Sequence, residues 1–203
     1  MKGRFYLLKF IKIFIPLFLV FTLVSSIIQP IIENSQSITD KVFRLHIVAN
    51  SDSAEDQSTK LKLRDFILIS TQDLFNADTL DENVLIAKDN LDVLKINCEK
   101  YLKSIGCNDS VQIEVTEEYF DTRVYDDFTL PAGIYNSLRL EIGEGRGHNW
   151  WCIIFPSVCL SSCSKSLEEY LNDDEMKIIE SGYSPKFKIV EIYQKLKNKS
   201  IDN

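Results

Sequence analysis

Hydrophobic and polar positions follow three regimes along this chain. From residue 13 to residue 29 no charged side chain interrupts a run rich in Ile, Phe, Leu and Val. Between residues 54 and 106 apolar positions recur at helical spacing, and beyond Gly106 they alternate singly. A first strand is predicted over 40–50, with Val42 and Phe43 leading into Leu45, Ile47 and Ala49 on one face. Ser53 followed by Asp56 forms an acidic capping box, and its helix carries Leu63, Phe66, Ile67 and Leu74 on one stripe. Thr79 and Glu82 form a second box. Its helix places Val84, Ala87, Leu91, Leu94, Cys98, Tyr101, Leu102 and Ile105 on one side, and Gly106 supplies the stop.

The single alternation then begins. Val111, Ile113 and Val115 interleave with Gln112, Glu114 and Thr116, the pattern of a half-buried strand, and 122–130 is expected to return beside it. Leu138, Leu140 and Ile142 interleave with Ser137, Arg139 and Glu141 in a further strand. Residues 150–155 are apolar on both faces, which predicts a central, doubly covered strand. Helical periods return over 167–181 and 187–197. The order of elements predicts an α+β fold, a largely antiparallel sheet packed with helices and preceded by an N-terminal signal or anchor segment.

That first segment is read from its flanks. Lys2, Arg4, Lys9 and Lys12 are the only charged residues before Glu33, and the apolar run follows them directly. A basic start before an apolar stretch is the pattern of an export signal. Residues 10–32 are also long enough to span a bilayer of about 30 Å. A cleaved signal, with Val24 and Ser26 as small residues before the cut, and a retained anchor both fit. The basic flank stays cytoplasmic and the remainder is exported. The organisation expected is a signal peptide or membrane anchor over 1–32 and an extracytoplasmic domain over 40–199.

Charge narrows the partners. The chain carries a net −7, and the four early cations lie outside the body, which is therefore more acidic still. Nucleic acid and anionic headgroups select clusters of Lys and Arg, so such a body favours a protein partner and no nucleic acid.

Chemistry-bearing residues are sparse. The glycines at 143, 145 and 147 are spaced G-x-G-x-G before a strand, whereas a phosphate loop needs a following helix, so they read as a tight connection between two strands. His148 and Cys152 suggest a cysteine hydrolase, but four residues of extended chain separate their Cα atoms by about 13 Å. His46, from the first strand, is the base better able to reach Cys152, and a cell-envelope hydrolase using Cys152 with His46 or His148 is the alternative to a binding protein. A zinc site from His148, Cys152, Cys159 and Cys163 lacks the C-x-x-C knuckle. Exported chains instead pair close cysteines, here Cys152 with Cys159, Cys163 being an alternative partner of Cys159. Cys98 falls on a core stripe as an inert thiol. Residues 50–53 with Glu55 and Asp56 read as a capped strand-to-helix turn rather than a cation site. Trp150 and Trp151 face opposite ways, one into the core and one available to a partner. No catalytic residue, cofactor site or metal site is assigned.

Two stretches, 43–57 (FRLHIVANSDSAEDQ) and 130–159 (LPAGIYNSLRLEIGEGRGHNWWCIIFPSVC), resemble the signature blocks of the stage II sporulation protein R family. The resemblance implies an exported, non-enzymatic signalling protein of spore-forming bacteria, acting in the space between forespore and mother cell. It implies as partner a membrane-bound aspartic protease of the mother cell, whose activation leads to processing of pro-sigma-E. The candidate contact residues are His148, Asn149, Trp150, Trp151, Glu144, Arg146, Asn50 and Asp52, with Cys152 and Cys159 as the candidate disulfide. The chain departs from the family pattern at Cys163 and in its Lys/Asn-rich tail after Tyr193.

Overall fold

An exposed apolar helix and a fully buried strand stand almost next to each other at the start of the chain. The computed structural model describes residues 2–125, 127–156, 164–180, 182 and 184–201. The elements run α1 (Lys2–Thr39), β1 (Phe43–Val48), α2 (Ala54–Ser70), α3 (Leu80–Asp89), α4 (Leu91–Ser104) and β2 (Val111–Phe120), then β3 (Arg123–Val124) and β4 (Thr129–Leu130). They end with β5 (Gly133–Ile142), β6 (Asn149–Phe155), α5 (Ser164–Tyr170), α6 (Asp173–Ile179) and α7 (Pro185–Ile201).

The sheet has the order β2-β5-β1-β6. β1 lies parallel to β5 and antiparallel to β6, while β2 lies antiparallel to β5 from Val111 opposite Ile142 to Phe120 opposite Gly133. Phe43, Leu45 and Ile47 point into a core shared with α2, α3 and α4. Tyr135, Ile153 and Phe120 belong to a second core, closed by Ile38 of α1, Ile178 and Ile179 of α6, and Phe187 of α7. The fold is thus α+β, with helices on both faces of a mainly antiparallel sheet.

Four expectations change. The central strand is β1, buried at all six positions, and residues 150–155 belong to the edge strand β6. Their apolar faces are both covered by helical layers; periodicity reports which faces are covered, not lateral position. The neighbour of β2 is β5, whereas residues 123–130 fold back on themselves as the small β3–β4 sheet. The long helix after Thr79 breaks at Asn90, whose side-chain amide donates to the Ile86 carbonyl at 2.8 Å and competes with the helical ladder. The segment 167–181 likewise divides at Asn172, which opens α6 with its own capping box.

The local signals are otherwise largely expressed as predicted. Thr79 forms a full box with Glu82, whereas at Ser53 only half of the box forms: Ser53 accepts from the Asp56 N–H, but the Asp56 carboxylate is taken by Ser51 and Asn50. Gly106, at φ 88°, ends α4: its N–H reaches Lys103 O at 3.1 Å and the Cys107 N–H reaches Leu102 O at 2.9 Å, a Schellman motif. Cys98 carries a free thiol, and burial pushes it up to about 12.

α1 joins both parts of the molecule. Its stretch Phe10–Thr39 is long and apolar enough to cross a membrane, and Phe10 to Val24 leave nearly every side chain exposed. The helix does not stop at residue 32: Ser35, Ile38 and Thr39 are buried against the domain. Glu175 fixes this end. It is fully buried, accepts from the Lys41 ammonium at 2.7 Å, and caps the Asn172 N–H at 2.7 Å. Burial opposes its charge, but the bonds from Lys41, Ser37 and Asn172 outweigh it and hold the carboxyl below its ordinary range.

Candidate functional site

The chain turns sharply where β1 ends, and the β5–β6 connection crosses over that turn. Because β1 lies between β5 and β6, this connection is a crossing loop rather than a link between adjacent strands. Its glycines are explained by the crossing. A Cβ at Gly147 would overlap the Ser51 carbonyl oxygen, and one at Gly143 would overlap Asn50 Oδ1. Gly143 and Gly145 also adopt φ of 58° and 60°, the left-handed region.

Close approach lets the two loops satisfy each other. The Arg146 N–H donates to Asn50 O at 3.1 Å and the Gly147 N–H to Ala49 O at 2.8 Å. Asn50 Oδ1 accepts from the Glu144 N–H at 2.9 Å, while its amide donates to Asp56 at 3.1 Å. Asp52 accepts from the His148 N–H at 2.6 Å and also meets His148 Nδ1. The His148 ring holds the Asp52 carboxyl below its usual range, and the Ser51 hydroxyl does the same for Asp56. Underneath lies Lys60, almost completely buried, donating to His148 O at 2.8 Å and Gln57 Oε1 at 2.6 Å. Burial pushes its ammonium below the ordinary lysine value.

Asn50, Asp52, Glu144, Arg146 and His148 therefore converge on one corner, whose outer surface presents the side chains of His148 (78% exposed) and Arg146 (77% exposed). The Asp56 carboxylate is taken up by Asn50 and Ser51 within the turn and the Asp52 carboxylate by His148 of the crossing loop, which supports the capped-turn reading over a cation site. Trp150 and Trp151 diverge to opposite faces: Trp150 packs on the first core under Arg64, 4.5 Å from its ring centroid, and Trp151 on the second core.

A second polar cluster occupies the sheet face beside this corner, centred on His46, and Asn149 and Trp151 link it to the candidate contact residues. His46 is bracketed by Glu118 at 2.9 Å from Nδ1 and by Asn149 Oδ1 at 2.9 Å from Nε2. Glu118 also accepts from Arg139 at 3.1 Å and from the Ser137 hydroxyl. Burial works against the Glu118 charge, yet bonds from His46 and Ser137 and the Arg139 cation hold its carboxyl below the usual value. The His46 ring stacks on Trp151 at 5.7 Å, and the Arg123 guanidinium lies 4.2 Å from the Trp151 ring centroid. Two residues earlier, Arg44 is fully buried between Phe120 and Tyr135, 4.0 and 5.0 Å from their ring centroids.

This geometry removes the hydrolase alternative as drawn from sequence. His46 pairs with Trp151 and Leu45 with Cys152, so the histidine and the cysteine project from opposite faces of the sheet. Ser137 donates to Glu118 rather than to His46, and His46 Nε2 faces Asn149, so no hydroxyl among the described residues sits where this base would take a proton. Cys152 is disulfide-bonded. Cys159 and Cys163 lie outside the described residues, so the pairing expected for Cys152 falls there too.

Sequence reasoning missed Glu118 as the partner of His46, Arg139 and Ser137 as the donors that hold Glu118, and Lys60 as the clamp beneath the loop. Alternation did place Ser137 and Arg139 on one face of their strand. Nothing local announced that β2 and β1 would flank that strand.

The sequence model for stage II sporulation protein R matches residues 39–165, from the last residue of α1 into α5, and so contains the whole sheet, the corner and the His46 cluster. Stage II sporulation protein R of Bacillus subtilis (strain 168) is 31% identical over 132 residues, which is 64% of this chain and 57% of that protein. The matched stretch thus spans less than two thirds of that relative. No solved structure matches the chain.

Proposed function

The chain belongs to the stage II sporulation protein R family, a sporulation family, and on that premise we propose that it is an exported signal that switches on a membrane-bound aspartic protease. The protease, in the mother-cell membrane, then removes the pro-sequence of sigma factor E. The observation that carries this reading is the family match across the entire sheet, joined to an apolar α1 with a basic start. The match supports the role, and the helix supplies a route out of the cell in which the chain is made.

Activation by such a ligand requires unequal affinity for the active and inactive states of the protease. The corner suits that task because its backbone is fixed by the loop-to-loop bonds while His148, Arg146 and Glu144 face outward. Binding to a prefixed surface loses little conformational entropy. Trp151, wedged between His46 and Arg123, extends the same surface around the edge of β6 and offers an aromatic anchor.

The test is co-expression of this chain, the protease and the pro-sigma factor in a non-sporulating host, with immunoblots of the precursor. Cleavage that rises only with this chain present supports activation. Baseline cleavage with all three proteins made and this one exported contradicts it. A corner variant, His148→Ala, and a Trp151→Ala variant should fold and export while activating less; full activation by both removes that surface from the contact.

A further inference from the structure

α7 departs from the rest of the domain in charge and in what it leaves uncovered. The chain is net −7, yet this helix holds five lysines and a single glutamate. Its inner face is spent on the fold: Phe187 and Val190 are 1% exposed and Gln194 2%. Its outer face carries Ile192 (53% exposed), Tyr193 (40%) and Leu196 (64%). At 100° per residue Ile192 and Leu196 share one outward stripe, with Tyr193 beside it. Lys188 and Lys195 fall along one flank of that stripe, and Lys186 and Lys197 along the other.

An outward apolar stripe between two rows of lysines is the form of a helix that lies at a lipid surface. The apolar groups enter the acyl boundary, and lysine stems extend alongside so that the ammonium groups reach headgroups. Position agrees. α7 packs against the last turns of α1, where Gln194 meets Gln36 at 3.4 Å, about 18 Å of helix beyond the exposed apolar stretch that ends at Val24. The helix also lies outside the 39–165 stretch shared with the family, so the shared sheet does not account for it.

We propose that the outer face of α7 docks on the anionic headgroups of the membrane that α1 enters. The acidic body is repelled by such a surface and α7 is attracted to it, so docking sets which side of the domain faces the bilayer. The inference rests on α1 entering a bilayer, not on protease activation.

The test uses the full chain reconstituted in vesicles of phosphatidylcholine with or without phosphatidylglycerol. Tyr193→Trp places a reporter on the stripe, and Ile96→Trp places one on exposed α4 across the sheet; the parent chain supplies the background. Doxyl-labelled lipid should quench the stripe reporter in phosphatidylglycerol vesicles and much less in phosphatidylcholine alone. The α4 reporter should be quenched in neither. Lys195→Gln with Lys197→Gln should lower the docking equilibrium roughly 30-fold, from about 1 kcal/mol per cation near an anionic surface. High salt should act in the same direction. Equal quenching of the stripe reporter in the two lipids, or none, overturns the proposal. A blue-shifted stripe reporter without lipid quenching also overturns it, since the stripe is then covered by protein. Flotation separates the premise: a chain that floats with both vesicles but is never quenched refutes α7 docking alone, and one that floats with neither refutes membrane entry as well.

Discussion

The corner at the end of β1 and the His46 cluster are adjacent but built in opposite ways. The corner joins two loops through backbone groups and short polar side chains, and its charged tips face solvent. The cluster joins three strands through buried His46 and Ser137 and half-buried Glu118 and Arg139, and its bonds run from strand to strand. Polar groups that satisfy each other beneath an exposed rim leave the rim available for recognition, whereas a polar network that satisfies itself across strands holds them in register. Similar residue types thus form an exposed rim in one place and tie strands together in the other.

The largest effect expected from that contrast is on stability, at Glu118. Glu118→Ala leaves Arg139 without one carboxylate and strips His46 and Ser137 of their acceptor, a loss of about 2–3 kcal/mol in urea unfolding. Gly147→Val should follow, since its side chain would enter the space of the Ser51 carbonyl. We expect a cost of about 2 kcal/mol and reduced activation, because the crossing loop must lift. Asn50→Ala removes the acceptor of the Glu144 N–H across the loops and a donor to Asp56 within the turn, and should cost about 1 kcal/mol.

A pH series separates the two regions further. The Glu118 carboxyl is held below its ordinary value in the folded state. Its contribution to stability is therefore complete above the unfolded carboxyl pKa of about 4.3 and is lost as pH falls through the folded value. Unfolding midpoints measured from about pH 6 to about pH 3 should fall less steeply in Glu118→Gln than in the parent. The smallest stability change belongs to the rim: Asp52→Asn should leave the melting curve almost unchanged while weakening activation. A large loss of stability there, with activation intact, would reverse the roles assigned to the two regions.

Much of the corner, and of the helix ends, was legible in the sequence because the determinants are local. Ser53, Thr79 and Gly106 act within a few residues of themselves, and each caps or stops a helix as its type demands. Asn50, Asp52 and His148 flank strand ends, so two strand predictions sufficed to single them out. The His46 cluster was not legible, because it depends on lateral order. Arg139 lies opposite His46 on one side and Glu114 on the other, and no local pattern names either partner. The same gap misplaced residues 150–155 at the centre of the sheet and residues 122–130 beside β2. Alternation reports what covers a face and is silent on which strand lies alongside. Lys60 was hidden for another reason: a lysine in the second turn of a helix reads as solvated, and only the crossing loop buries it.

Whether the corner is the activating surface is tested most directly by precursor cleavage in the three-protein co-expression, at matched export. The parent chain is compared there with a double variant, Arg146→Ala with His148→Ala. Strong cleavage is expected with the parent and a fall toward the protease-only baseline with the variant, whose unfolding curve stays close to that of the parent. Undiminished cleavage with the folded, exported double variant would contradict the assignment of this corner as the activating surface.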